Sequence, residues 1–110
     1  MPPRQIARLL GALCFEERIQ IIEALIAAGD EGMSPQSLAE ATELRNSEVT
    51  INLDYMSSTD MVKTRQTSTG PIFYVDLDLL ENLFAFLVDN YGAGARQVIK
   101  SSQNLAALTD

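Results

Sequence analysis

After Pro2 and Pro3, apolar residues fall at Ile6, Leu9, Leu10 and Leu13, the i, i+3, i+4, i+7 spacing of one helix face. A second helix is predicted from Glu16 to Ala28, with Ile19, Ile22, Leu25 and Ile26 turned inward and Gly29 ending it. Asp30, Glu31 and Gly32 form a turn. Ser34 followed by Pro35 marks a helix start, because the Ser oxygen accepts from orphan amides and Pro gives up no helical hydrogen bond there. This third helix runs from Pro35 to Ala41. Thr42 to Leu44 separate it from a fourth helix, capped by Asn46 or Ser47 and carrying the inward stripe Val49, Leu53 and Met56. The β-prone runs Met61 to Gln66 and Ile72 to Val75 flank the turn-forming segment Thr67 to Pro71 and predict a hairpin. Asp78 with Glu81 reads as a capping box for a last helix, and Leu79, Leu80, Leu83, Phe84, Leu87, Val88 and Tyr91 make that helix apolar around most of its circumference.

A helix that apolar needs cover on two sides, and 110 residues supply one small core. The second cover is expected to be another subunit, giving a homodimer through the terminal helices with Ile6, Leu9, Leu80, Leu83, Phe84, Leu87 and Val88 at the interface. One domain is expected over residues 1–92. From Gly92 the composition turns small and polar, so residues 93–110 are expected to form a tail, either a short helix or disordered.

The order helix, helix, helix-turn-helix, hairpin, helix resembles the winged helix-turn-helix scaffold of ArsR-type transcriptional regulators, a mainly α fold with a small β-hairpin wing. Ala12-Leu13-Cys14-Phe15-Glu16-Glu17-Arg18-Ile19 is similar to the family's opening phrase, and Ser34-Pro35-Gln36-Ser37-Leu38-Ala39-Glu40-Ala41 to its positioning helix. Asn46 to Met56 is similar to the recognition helix, and Phe73-Tyr74 to the paired aromatics of the returning wing strand. The resemblance spans about residues 5 to 91 and rests on ordered agreement along the chain. It implies a sequence-specific DNA-binding regulator, a repressor, acting as a homodimer on a pseudopalindromic operator in double-stranded DNA. The residues it places at DNA are Arg45, Asn46, Ser47, Thr50 and Asn52, with Lys63 and Arg65 of the wing at phosphates; Asn52 is suited to adenine. Asn46 and Ser47 have a plainer role as helix caps, and Thr67 to Pro71 as an ordinary turn.

Charge complicates this picture. Eight basic against fifteen acidic residues give a net charge of −7, which repels polyanions at long range. Where the family carries Arg, His and Lys in the recognition helix, this chain has Ile51, Asn52 and Asp54. Thr42 to Asp60 nets −3, with Glu43, Glu48, Asp54 and Asp60 against Arg45. The alternative is therefore a winged-helix adaptor or anti-repressor that binds protein rather than DNA. A small organic effector at the dimer interface is a third expectation.

The remaining chemistry is mostly exclusion. The chain has no histidine and one cysteine, which removes the usual metal ligands, the commonest general base and any intrachain disulfide. No cofactor and no catalytic residue is expected, and the carboxylate pairs Glu16-Glu17 and Asp76/Asp78 suit helix starts rather than acid/base work. Cys14 is expected to be a buried, inert thiol, and Met33, Met56 and Met61 to be packing residues. Arg4 and Arg8 before Leu9 to Phe15 loosely imitate a secretory leader, but Glu16, Glu17 and Arg18 interrupt it. With no apolar run near the roughly 18 residues that span a bilayer, the expected location is cytoplasmic, away from membranes.

Overall fold

Pro3 sits in the first turn of α1 (Pro3–Gly11), where its missing N–H costs nothing, and α2 (Glu16–Ala28) opens with two acidic residues that suit the positive end of the helix dipole. These come from a computed structural model of the chain that describes residues 1–89. A 3-10 turn, Gly29–Glu31, leads to α3 (Pro35–Thr42), then α4 (Asn46–Ser58), β1 (Val62–Thr67), β2 (Gly70–Val75) and a helix α5 over 77–89. Among the described residues this is five α-helices with one antiparallel hairpin, a winged helix-turn-helix fold. The tail and Tyr91 lie outside the described residues.

The core is where α2, α3 and α4 meet the base of the hairpin. Ile21, Ile22 and Leu25 of α2, Leu38 of α3 and Val49, Leu53 and Met56 of α4 are buried, together with Met61, Val62 and Val75. The predicted α4 stripe is thus borne out. On α2 the inner face is rotated from its expected position: Ile19 and Ile26 are exposed, and Ile21 takes their place. The true stripe is 18, 21, 22, 25, which begins on a charged residue, Arg18, and so escapes a search for apolar spacing.

The terminal helices also differ from expectation. Leu9 and Leu83, expected at a subunit interface, are fully buried in the protomer's own core. Leu80 and Leu87 pack partly against that core, as does Ile6, and Val88 is half-buried. Phe84 is 52% exposed, with Leu10 and Leu77 also open to solvent. The start of α5 is set by Asp76 rather than Asp78: its Oδ1 accepts from the Leu79 N–H at 3.1 Å. Asp78 is already inside the helix, because Leu77 can join the first turn once Asp76 caps it. Cys14 is exposed in the turn after α1, a correction to the buried thiol expected.

The hairpin pairs Val62 with Val75 at its base and Thr67 with Gly70 at its tip, so β1 is shifted by one residue from its expected limits and β2 starts two residues earlier, at Gly70, while ending at Val75 as expected. A third stretch joins it. Met33 exchanges both backbone hydrogen bonds with Phe73, at 2.9 and 2.8 Å, tying the α2–α3 connection to β2. Gly32 makes this approach possible. Its φ of 68° and ψ of −169° lie in a region open essentially to glycine alone, and a Cβ there would collide with the Phe73 carbonyl oxygen. Gly32→Ala is therefore expected to lower unfolding free energy by about 2–3 kcal/mol in denaturant titration. Gly29→Ala, also at positive φ but with open space around it, should cost visibly less.

Candidate nucleic-acid interface

Ser34 caps α3, its Oγ accepting from the Ser37 N–H at 3.1 Å, and α3 ends on Glu43 in the left-handed conformation at φ 62°. That abrupt stop turns the chain within three residues into α4. The cap of α4 is Arg45, not Asn46 or Ser47: Glu48 Oε1 accepts from the Arg45 backbone N–H at 3.3 Å and from its Nε at 2.8 Å. This hydrogen bonding holds the Glu48 carboxyl below the ordinary glutamate range and raises Arg45. Asn46 and Ser47 are instead the first exposed helical residues.

Burial of Val49, Leu53 and Met56 sends Ser47, Thr50, Ile51, Asp54, Tyr55 and Ser58 outward. Asn52 is half-buried between the two faces. Its Nδ2 donates to the Glu48 carbonyl at 2.8 Å and its Oδ1 accepts from Arg18 Nε at 3.1 Å, so the amide expected to meet adenine is engaged inside the protomer.

Arg18 is the functional residue that sequence reasoning missed. Its guanidinium stacks 3.9 Å from the Tyr55 ring centroid and 4.7 Å from that of Phe15, while Nη1 donates to the Gly11 carbonyl at 2.6 Å. One side chain thus fastens the α1–α2 turn to the middle of α4. Gly11 accommodates the fit, since a Cβ there would lie 2.5 Å from the Tyr55 hydroxyl. Arg8 donates to the carbonyl of Ser58, so a second arginine holds the far end of the same helix.

The wing's cations are engaged as well. Lys63 lies 3.5 Å from Asp76 Oδ2, so one carboxylate both caps α5 and meets β1. Arg65 stacks 5.5 Å from the Tyr74 ring centroid and donates to the carbonyls of Asp30 and Glu31 at 3.2 and 2.9 Å. These carbonyls orient Arg65 without cancelling its charge. At the tip, Thr67 Oγ1 donates to the Gly70 carbonyl at 2.7 Å and accepts from the Thr69 N–H, a hydroxyl-stabilised turn carrying no charged side chain. Arg45, Lys63 and Arg65 therefore lie along α4 and the wing, each with an internal partner.

Among the described residues no group of three or more His, Cys, Asp or Glu is placed to hold a metal ion, and no helix is long and apolar enough to cross a membrane. An open hollow of about 410 Å³ at the base of the wing is lined by Asp30, Lys63, Tyr74, Asp76 and Asp78.

These features define a winged helix-turn-helix domain whose outward α4 face is exposed and poor in positive charge. No protein-family model matches the chain, and no curated protein matches it in sequence. Among solved structures it is similar to the homodimeric winged helix-turn-helix DNA-binding domain of a possible ArsR-family transcriptional regulator from Mycobacterium bovis. That match has a TM-score of 0.65 and 25% identity and covers 91% of this chain and 82% of the other. It is also similar in fold to NolR from Sinorhizobium fredii, with a TM-score of 0.62 and 22% identity over 84% of this chain and 96% of that one. The ArsR-type resemblance seen along the sequence is thus matched in three dimensions.

Arg18→Met keeps most of the side-chain length but removes the stacked charge and the donors to Gly11 and Asn52. It should lower the urea midpoint by an amount equivalent to about 2 kcal/mol without changing the slope. Arg18→Lys should recover little, because an ammonium cannot stack between two rings while donating in the guanidinium's plane. Full recovery by lysine would show that charge alone matters there.

Proposed function

We propose that the chain is the subunit of a homodimeric, sequence-specific DNA-binding transcriptional regulator, a repressor, whose two α4 helices enter successive major grooves of a pseudopalindromic site. The observation that carries this reading is α4 itself. It is held rigidly from behind by its buried stripe, Arg18 and Arg8, while its opposite face is left open. The likeness to a homodimeric DNA-binding domain supports it. Dimerisation is assigned to the outer sides of α1 and α5, where Leu10, Leu77 and Phe84 are exposed beside half-buried Ile6, Leu80, Leu87 and Val88. Leu9 and Leu83 contribute by holding those helices in place. Half-sites would lie about 34–36 Å apart, one turn of duplex.

Phosphate contact falls to Arg45, Lys63 and Arg65, with Ser47 and Thr50 at base edges and Asn46 at the helix entrance. Exposed ion pairs such as Arg45–Glu48 and Lys63–Asp76 contribute little, so both cations can exchange a carboxylate for a phosphate. With so few contacts, log affinity falls only gently with log salt.

A second reading has its own observation. Asp54 and the exposed side chains of Ile51, Tyr55 and Phe15 give the α4 side of the molecule an apolar and acidic character that fits a basic protein surface. On that reading the chain is an adaptor or anti-repressor.

Fluorescence anisotropy with genomic fragments at two salt concentrations separates the two. A regulator retains one fragment at physiological salt, and Arg45→Ala lowers the salt slope by about one for each phosphate the arginine neutralises. Glu48→Gln, which frees Arg45, and Asp54→Lys should both tighten binding to any duplex. An adaptor forms no specific complex even at low salt, and none of the three changes matters. In light scattering the wild type should run at twice the chain mass. Phe84→Glu, which alters no buried residue, should give a folded monomer that loses operator binding. A wild-type monomer at micromolar concentration would exclude the dimeric regulator.

A further inference from the structure

The side chains that most often read bases in a major groove are arginine, bidentate on guanine, and asparagine, bidentate on adenine. Near the middle of α4 neither is free, and the remaining asparagine, Asn46, stands only at the helix entrance. Arg45 caps the helix and is joined to Glu48, and the Asn52 amide lies between Arg18 and the Glu48 carbonyl. At the centre of the outward face stands Ile51 instead, with Ser47 one turn before it and Tyr55 one turn after.

Ile51 is 69% exposed, the most exposed large apolar side chain among the described residues. It adds nothing to the protomer's core, which uses Val49, Leu53 and Met56 on the far side of the helix. A β-branched side chain in a helix is held in one dominant rotamer, so its methyl groups are fixed in direction before any partner arrives. The major groove offers one apolar group at a base edge, the C5-methyl of thymine.

On the DNA-binding reading above, on which this inference rests, we propose that Ile51 is a specificity-determining residue that packs on thymine methyl groups, so that the operator is selected at that position by apolar contact. Ser47 and Thr50 flank it with hydroxyls that accept several bases, which leaves the methyl contact as the discriminating one. Asp54 strengthens the dependence: by repelling phosphates it weakens binding to every sequence alike and leaves a larger share of the retained affinity to short-range fit.

The test replaces thymines of a retained genomic duplex by deoxyuridine one at a time, deleting a single methyl while keeping the base pair. Wild-type protein should lose about three- to fivefold in affinity at one position per half-site, the worth of one buried carbon group, and show no loss at thymines elsewhere in the fragment. Ile51→Ala should bind the thymine and uracil duplexes equally, and Ile51→Val should fall between. Because Ile51 is exposed, both variants should keep the wild-type melting temperature. Wild-type binding that is indifferent to every uracil substitution, or an Ile51→Ala variant that remains as sensitive as wild type, overturns the proposal while leaving DNA binding intact. If wild type retains no duplex at all, the DNA-binding reading fails, and this inference with it.

Discussion

The packing of Val49, Leu53 and Met56 against α2 and α3 is the constraint from which the rest of the molecule follows. A helix can bury only one side, so committing positions 49, 53 and 56 to the core fixes which side chains look out. Ser47, Ile51, Asp54 and Ser58 face the other way because of it. The same packing gives the hairpin its footing, since Met61 and Val62 follow directly from the end of α4 and are buried with it. At that transition the buried Thr59 hydroxyl is satisfied on both sides: it donates to the Met56 carbonyl at 2.7 Å and accepts from the Met61 N–H.

Within that frame the scarce cations act as fasteners. Arg8 and Arg18 hold α4 from behind, Arg65 holds the wing to the 3-10 turn, and Lys63 joins β1 to the residue that caps α5. In a chain with an acidic excess this arrangement has two consequences. Each element carrying the outward surface is pinned by a directional, charge-assisted bond rather than by shape alone. The surface itself is then left with little fixed positive charge, so whatever it recognises is recognised mainly at short range.

Much of the fold was legible because helix starts, stops and stripes are local events. The limits of α2 were read correctly from Gly29 and the acidic first turn, and the hairpin from its turn residues. The misread helix faces and caps turn on a polar residue whose partner decides its role, across the fold for Arg18 and within one helical turn for Arg45 and Asp76. Arg18 begins the inner stripe of α2, which hides the true face behind Ile19 and Ile26. Asp76 rather than Asp78 caps α5, because the carboxylate nearest the hairpin can also meet Lys63. Arg45 rather than Ser47 begins α4, because Glu48 reaches back to it. For the site, the residue types that suit DNA contact could be picked out, but whether each faces out or in could not. Asn52 and Ile51 are adjacent in sequence: the buried stripe turns Ile51 outward, while Arg18 and the Glu48 carbonyl hold the Asn52 amide inside.

The same logic distinguishes the two ends of the molecule. Leu83 and Phe84 are neighbours on an apolar helix, yet the first is fully buried and the second half open, because α5 lays one edge on the core and leaves the other uncovered. An apolar edge on a small domain is most simply covered by a copy of itself, since a twofold axis lets each protomer supply the cover that the other lacks. If α1 and α5 pair across such an axis, the two α4 helices are presented by rigid units, each fastened through Arg18 to the turn that follows α1. Gly11, Arg18 and Asn52 join the turn after α1 to the middle of α4 through two hydrogen bonds and two stacked rings within one protomer.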